Sequence, residues 1–134
     1  MDKLDNHIIE ELEKNSRVPN QDIANRLNVT EGTIRHRISK LVEEGIIEKF
    51  TIRCKDKTTS IILIKLDTSV RTAEFVKILK KIDNISSVYH VTGEDSVICY
   101  VETKDNDQLD NVVEEIRAQS GVLRTKTVNV LKKY

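Results

Sequence analysis

Residues 4–45 space their apolar positions three and four apart, the pattern that predicts amphipathic helices. Three stripes share this spacing: Leu4, Ile8, Ile9 and Leu12; Ile23, Ala24 and Leu27; and Ile34, Ile38, Leu41 and Val42. Pro19 suits the start of the second helix, and Thr30 is a suitable N-cap for the third. Asn28 tolerates a left-handed turn between them, and Gly45 is suited to end the third helix. Residues 46–52 then predict a short strand or a pair of strands, which would form a wing.

The second half of the chain interleaves strand and helix patterns. Residues 53–60 are polar and aperiodic, and we predict that they form a linker. Beyond the linker, strands are predicted over 61–67, 88–92, 97–103 and 122–131, and helices over 75–82 and 109–116. The order β-α-β-β-α-β is that of the ferredoxin-like fold, in which two helices cover one face of a four-stranded antiparallel sheet. We therefore predict an α+β chain with domains at 1–52 and 61–134.

Both faces of the predicted sheet are apolar. In the strand over 97–103, Val97, Cys99 and Val101 alternate with Ile98 and Tyr100. Two helices cover only one face, and monomers rarely expose a patch as large as the other. We expect two chains to pack sheet against sheet; the alternative is that this strand packs on the N-terminal domain.

Ala24, Asn28 and Ile34 have the spacing of a helix-turn-helix motif. The motif needs a small residue where the two helices cross, a residue that can enter the turn four positions later, and a β-branched core residue six positions beyond. Its second helix is the one that enters the major groove of DNA. Three-helix cores that do not bind DNA also have this pattern. A local excess of basic residues would distinguish a DNA-binding domain from such a core.

The chain has 22 Lys and Arg against 22 Asp and Glu, which argues against a generally basic coat for nucleic acid. The charge is uneven, however, because residues 17–40 hold five basic residues against Asp22 and Glu31, a net +3. An ordinary solvated face would also explain a run of charge. Together with the motif, the local excess favours a helix that contacts DNA.

The direction of each side chain on the third helix suggests its role. With Ile34 toward the core, a turn of about 100° per residue directs Thr33 and His36 outward, so we assign base reading to them, with Arg35 as a further candidate. Lys40 and Arg17 are assigned to phosphates, and Arg37 lies nearer the core, where pairing with a carboxylate is the alternative role. The DNA-contacting candidates are Arg17, Thr30, Gly32, Thr33, Arg35, His36, Arg37 and Lys40.

The composition gives little support to an enzyme, a metal protein or a membrane protein. Cys54 and Cys99 form no Cys-x-x-Cys pair, which indicates no metal site and a reduced, cytoplasmic setting. A nucleophilic pair of Cys99 and His90 has no supporting motif, and no phosphate loop or paired carboxylates stand out. No apolar run is long enough to span a membrane, and the N-terminus lacks the apolar region of a signal peptide. We predict no enzymatic activity, no metal, no cofactor and no membrane partner.

At this point the residues resemble the Lrp/AsnC (feast/famine) transcription regulators over nearly the whole chain. In the first half these are Leu4-Asp5, Ile8-Ile9, Leu12, Arg17, Asp22-Ile23-Ala24, Arg26 to Thr30, Arg35, Arg37-Ile38, Leu41 and Gly45 to Ile47. In the second half they are Val88, Val91-Thr92-Gly93, Gly121-Val122, Arg124-Thr125, Thr127 and Val130-Leu131. The resemblance implies a winged helix-turn-helix, a regulatory αβ-sandwich, and dimers through the sheets that assemble into tetramers or octamers. It also implies amino-acid effectors, bound between regulatory domains of neighbouring dimers.

The resemblance places the effector beside the turn after Thr92 and the final strand. Relatives usually carry Asp three places after the glycine, whereas here the run is Gly93-Glu94-Asp95-Ser96. Amide groups at a glycine turn suit a carboxylate, and Glu94 or Asp95 suits an ammonium. The effector candidates are Gly93, Glu94, Asp95, Ser96, Asp107, Asp110, Thr125 and Thr127, and their acidic bias favours lysine or arginine. The alternative is that Glu94 and Asp95 form an ordinary polar hairpin turn.

The sequence thus predicts a DNA-binding transcriptional regulator that recognises a specific sequence of double-stranded DNA. We expect a homodimer or larger assembly whose activity is modulated by an amino acid or a related small molecule. Two alternatives stay open: a DNA-compacting architectural protein on the same scaffold, and a small amino-acid-sensing allosteric subunit. The second would need only residues 61–134 and would leave the helix-turn-helix unexplained.

Overall fold

The computed structural model describes residues 1–134. The chain divides into two compact units, Met1–Arg53 and Cys54–Tyr134. Three helices form the first unit, and a β-α-β-β-α-β series forms the second, so the predicted α+β class and ferredoxin-like architecture are confirmed. None of the helices combines the length and the apolar character that crossing a membrane requires.

The first unit is built from α1 (Lys3–Lys14), α2 (Asn20–Leu27) and α3 (Glu31–Glu43). Their apolar stripes meet in one core, whose buried members are Ile8, Ile23, Ala24, Ile34 and Leu41. Asn28 ends α2 in the left-handed conformation with φ 55°. The Thr30 side chain accepts a hydrogen bond from the Thr33 N–H at the start of α3. The predicted helix-turn-helix is therefore confirmed down to its turn and its cap.

The predicted wing does not form within this chain. No strand lies between α3 and the first strand of the sheet, so the prediction of strands over 46–52 is wrong for the isolated chain. Gly45, with φ +71°, ends α3, and the N–H groups of Ile46 and Ile47 donate to the Leu41 carbonyl at 2.9 and 3.0 Å. A strand requires a neighbouring backbone to complete its hydrogen bonds, and alternating side chains alone do not supply one.

The second unit is a four-stranded antiparallel sheet with two helices. Its elements are β1 (Thr58–Leu66), α4 (Thr72–Leu79), β2 (Ile85–His90), β3 (Val97–Thr103), α5 (Asn106–Arg117) and β4 (Val122–Asn129), with strand order β2-β3-β1-β4. β1 begins three residues before its predicted start, so 58–60 belong to the sheet and not to the predicted linker. The reason is pairing on both sides: Thr58 lies opposite Thr103, and the Ser60 hydroxyl donates to Asn129 Oδ1 at 2.9 Å.

The two faces of this sheet differ in what covers them. The helix-covered face holds the core, whose buried members are Ile62, Ile64, Leu66, Phe75, Leu79, Ile82, Val97, Cys99, Val101, Val112 and Ile116. The opposite face, called here the outer sheet face, carries Ile61, Leu63, Tyr89, Ile98, Tyr100 and Val128. The rings of Tyr89 and Tyr100 meet edge to face at 5.8 Å, and 53% and 38% of these residues stay exposed. The second apolar face predicted from the sequence is therefore present and uncovered in the single chain.

Candidate DNA interface and effector site

The side of α3 that points away from the core presents the predicted DNA-contacting residues. Arg35, His36 and Lys40 are exposed, and Thr33 is half-buried. Ile34 and Leu41 lie on the opposite side, where both are buried in the core of the first unit. This division follows from the helical period, because residues that fill the core stripe leave the intervening positions to solvent.

The N-terminus of α3 is open as well as capped. The hydroxyls of Thr30 and Thr33 lie 2.8 Å apart, so the cap residue and the first outward residue share a hydrogen bond. A Cβ added to Gly32 would meet nothing nearer than an Arg35 side-chain nitrogen at 4.0 Å. A helix N-terminus carries partial positive charge and free amide donors, so this surface suits a phosphate or a groove edge.

The charged groups on this surface are held only by weak pairs. Arg35 lies 3.8 Å from Glu31, and Lys40 lies 3.6 Å from Glu44, each one turn along the same helix. Exposed pairs of this kind stabilise a helix by only a few tenths of a kcal/mol, about 0.3–0.5. Both cations can therefore turn to a phosphate at little cost.

Arg37 behaves differently from its neighbours on α3. Its Nη1 donates to Asp2 Oδ2 at 2.6 Å and to Asp5 Oδ1 at 3.1 Å, both at the start of α1. The Asp5 N–H and the Arg37 guanidinium hold the pKa of the Asp2 carboxyl below its usual value, and Asp2 raises the pKa of Arg37. Of the two roles left open by the sequence, the contacts of Arg37 correspond to pairing with a carboxylate.

Arg26 is a second basic residue that pairs inside the unit. Its guanidinium forms an ion pair with Glu11 of α1, which also accepts from Lys14 at 3.0 Å. Lys14, followed by Arg26, lowers the pKa of the Glu11 carboxyl. Arg26 and Arg37 both contribute to the basic excess of residues 17–40. Their partners were not predicted, because the partner of Arg26 lies 15 positions away and those of Arg37 at least 32. Among the predicted DNA-contacting cations, Arg17, Arg35 and Lys40 form no ion pair with another helix.

The predicted effector turn joins β2 to β3 over residues 91–96. Gly93 has φ +120° and is exposed, and Glu94 is exposed and makes no ion pair. Ser96 fastens the turn to β1, since its N–H donates to the Ile64 carbonyl at 2.8 Å and its hydroxyl accepts from the Leu66 N–H at 3.4 Å. The turn is thus a fixed end of the sheet with an open glycine at its tip.

Arg124 is a residue of this end that the sequence analysis did not single out as a site candidate. Its Nη2 donates to Asp95 Oδ1 at 3.2 Å, so Asp95 is already paired with a cation. Arg124 lies opposite Lys65 in the register of β4 and β1. The alternation along β4 is the signal that places Arg124 on the face opposite Thr125. Glu94 is therefore the acidic side chain of this turn that has no ion-pair partner.

The remaining effector candidates do not all meet at this turn. Thr125 and Thr127 lie opposite Ile64 and Ile62, which places them on the helix-covered side, where Thr125 Oγ1 accepts from Arg117 Nε at 3.3 Å. Asp107 and Asp110 stand in the first half of α5, which begins just after β3 ends, at the far end of the sheet from the turn. Within one chain, the expected grouping of these two aspartates with the turn is not found.

Cys99 and the acidic side chains offer no catalytic arrangement. Cys99 is fully buried, and burial raises the pKa of its thiol to about 12. A thiol with this pKa is almost entirely protonated at neutral pH and is a poor nucleophile. No group of three or more His, Cys, Asp or Glu side chains is placed to hold a metal ion.

Known protein families match both units of the chain. Residues 1–48 match the model for a winged helix-turn-helix DNA-binding domain, and residues 59–134 match the Lrp/AsnC ligand binding domain. The HTH-type transcriptional regulator LysM of Sulfurisphaera tokodaii is 32% identical over 98% of this chain and 96% of its own. The HTH-type transcriptional regulator FL11 of Pyrococcus furiosus is 33% identical over 98% and 90%.

Solved structures show the same likeness in three dimensions. The structure of E. coli AsnC matches with a TM-score of 0.76 at 26% identity, over 99% of this chain and 93% of that one. The crystal structure of PH0061 matches with a TM-score of 0.87 at 25% identity, over 100% and 95%. Both units of the chain are therefore shared with these proteins.

Proposed function

Because this chain belongs to the Lrp/AsnC family of DNA-binding transcriptional regulators, we propose that it recognises a specific DNA sequence through α3 and responds to an amino acid. The family consists of regulators and not of enzymes, and its second domain binds ligands. The observation that carries the proposal is the outward face of α3. There Thr33 and His36 share the outward side with Arg35 and Lys40. The Thr33 hydroxyl shares a hydrogen bond only with its neighbour Thr30, and His36 makes no ion pair.

Side chains on this face can supply both kinds of contact that specific recognition needs. Hydroxyl and imidazole groups read base edges, whereas cations on the flanks bind phosphates and fix the register. A DNA-compacting protein would need only the second kind. The presence of a hydroxyl and an imidazole on this face therefore favours sequence-specific reading.

The outer sheet face supports a homodimer. It is an uncovered apolar surface of six side chains, two of them tyrosines, and packing it on a second copy would remove it from water. A two-fold dimer would present two α3 helices to major grooves about 34–36 Å apart, or a multiple of that distance. We expect a roughly palindromic site on DNA, larger assemblies built from such dimers, and a cytoplasmic location, where the DNA is.

The turn end of the sheet supports a zwitterionic effector. Arg124 and Asp95 place a guanidinium beside a carboxylate 3.2 Å away, and an α-amino acid carries the complementary carboxylate and ammonium. Glu94 is free of ion pairs and suits a basic side chain, so lysine and arginine are the first ligands to test. The open amide at Gly93 adds a donor for the ligand carboxylate.

The DNA part of this proposal is tested with selected DNA. A duplex chosen from a random pool by the full chain is compared with a scrambled duplex of equal length at several salt concentrations. We expect a preference for the selected duplex, and Lys40→Ala should weaken binding to both duplexes and reduce the salt slope by about 1. Lys77→Ala, which removes an exposed lysine of α4 that is likewise paired with a glutamate, should change neither the affinity nor the salt slope. Equal binding of both duplexes by the wild type would support DNA compaction instead.

The effector part is tested by thermal shift with each of the twenty amino acids. A ligand that binds only the folded state raises the midpoint of unfolding, and the stabilisation grows with the logarithm of the ratio of free ligand to Kd. We expect at least one amino acid to raise it for the wild type and not for Asp95→Asn. If none of the amino acids raises the midpoint, the proposed amino-acid effector is excluded, and the proposal of DNA recognition is unaffected.

A further inference from the structure

The start of α1 and the middle of α3 share one closed set of hydrogen bonds. The Asp5 N–H donates to Asp2 Oδ1 at 3.0 Å, and the Asp2 N–H donates to Asp5 Oδ2 at 2.9 Å, which is a capping box. The remaining oxygen of each carboxylate accepts from the same nitrogen, Arg37 Nη1, at 2.6 and 3.1 Å. All four carboxylate oxygens therefore have a partner, and the cap of α1 cannot be separated from α3.

The burial of Asp5 explains why Arg37, and not another cation of α3, is paired at this position. Asp5 is 7% exposed, and a carboxylate removed from water is stable only with a compensating partner. The side chain of Arg37 is 30% exposed, compared with 70% for Arg35 and 56% for Lys40. Arg37 is thus the cation of α3 that faces the protein, and Asp5 holds it there.

No other ion pair joins α3 to another element. Arg35 and Lys40 pair within α3 itself, and Arg26 joins α2 to α1. Apolar contacts in the core bury one side of α3, but the hydrophobic effect is non-directional, so these contacts restrict the rotation of α3 less sharply than hydrogen bonds of fixed geometry. The pair of hydrogen bonds to Arg37 is directional and lies one residue from His36.

We propose that Arg37 is a positioning residue for DNA recognition: held by Asp2 and Asp5, it fixes the rotation of α3 and does not contact DNA. Neighbouring residues on a helix are about 100° apart, so anchoring Arg37 sets the direction of His36 and of Thr33, one turn earlier. The inference rests on the proposed reading of bases by α3. It also assigns a role in DNA recognition to Asp2 and Asp5, which lie on a different helix.

Two variants separate positioning from contact. Arg37→Gln removes the cation, whereas Asp2→Ser removes one of its partners but keeps a side chain that caps helices well. Asp105→Ser is the matched control, because Asp105 caps α5 by accepting from the Gln108 N–H at 2.8 Å and has no arginine partner. Each full-length variant is tested for helix content by circular dichroism and for binding to the selected and scrambled duplexes across salt concentrations.

The expected result is a loss of preference without a loss of phosphate contacts. The ratio of the two Kd values should fall about tenfold in Arg37→Gln and in Asp2→Ser, the scale of one misplaced base contact. The variant that combines Arg37→Gln and Asp2→Ser should lose no more of this preference than the more affected single variant. The salt slope should stay that of the wild type in all three, and Asp105→Ser should change neither the preference nor the slope.

Two results would overturn the inference. A salt slope reduced by about 1 in Arg37→Gln, with Asp2→Ser unchanged, would make Arg37 a phosphate contact. An unchanged preference in a folded Asp2→Ser variant would leave the three residues with a purely stabilising role. If Arg37→Gln does not fold, the DNA preference of Asp2→Ser alone tests the inference. Failure of the proposed function is distinct, because the wild type would then show no preference at all.

Discussion

Gly121 lies so close to Val70 that a Cβ on the glycine would overlap the Val70 Cγ2 methyl group. Gly121 precedes β4 with φ +84°, and its carbonyl accepts from the Asp67 N–H at 2.8 Å. The connection from α5 to β4 therefore packs directly against the loop after β1. β4, which carries Arg124, begins directly after this contact.

We predict that Gly121→Ala destabilises the second unit by about 2–5 kcal/mol. Overpacking costs about 1–3 kcal/mol and a left-handed conformation about 1–2 kcal/mol for a residue with a Cβ. Urea unfolding followed by tyrosine fluorescence measures this unit alone, because Tyr89, Tyr100 and Tyr134 all belong to it. Adding Val70→Ala should recover part of the loss. Equal stabilities of the single and double variants would show that the overlap is relieved elsewhere.

The fold was predictable where the signal is local. The helix-turn-helix follows from Ala24, Asn28 and Ile34, because each acts on its own helix or turn. β1 was predicted three residues short, because Thr58 and Ser60 join the sheet through partners on β3 and β4. The wing was predicted from alternation over 46–52, and the chain alone gives these residues no strand partner.

The candidate site was predictable only in part, for a similar reason. Helical period alone placed Thr33, His36 and Lys40 on the outward face of α3. The role of Arg37 depends on Asp2 and Asp5, which lie 35 and 32 positions away, and no spacing rule connects them. The separation of Asp107 from the Gly93 turn, in contrast, was predictable from chain order, because the seven residues of β3 lie between them.

We predict that the stability contributed by Asp2 disappears in acid. The pKa of Asp2 in the folded protein lies below its ordinary value of 3.8, so the folded state favours the charged form. A carboxyl of this kind stabilises the fold fully above its unfolded pKa, and the contribution is lost as the pH falls through the folded pKa. The free energies of unfolding of the wild type and Asp2→Ser, measured with urea and helix content, should differ at pH 7, and the difference should shrink as the pH falls below 3.8. A constant difference across this range would contradict the assignment.

We predict that one of the two thiols reacts in the native protein. Cys54 is exposed, whereas Cys99 is buried with a pKa raised to about 12. A thiolate-specific reagent at pH 7–8 should therefore modify a single cysteine per chain, and both after denaturation. Mass spectrometry of the labelled protein gives the count, and Cys54→Ser should leave the native protein unlabelled. Rapid labelling of Cys99 in that variant would show that the second unit opens far more readily than its core suggests.

We predict that Ile98→Asp prevents formation of the proposed homodimer. Ile98 lies between Leu63 and Tyr89 on the outer sheet face, so an aspartate there would place a charge at the centre of the proposed interface. Burying an unpaired carboxylate costs several kcal/mol, so the dimer should give way to a single chain in sedimentation experiments. Ile78→Asp is the matched control, since Ile78 is 41% exposed on α4 and lies outside this face. The control should keep the mass of the wild type. If both variants keep it, the chains associate through another surface, and the exposed tyrosines of the sheet require a different partner.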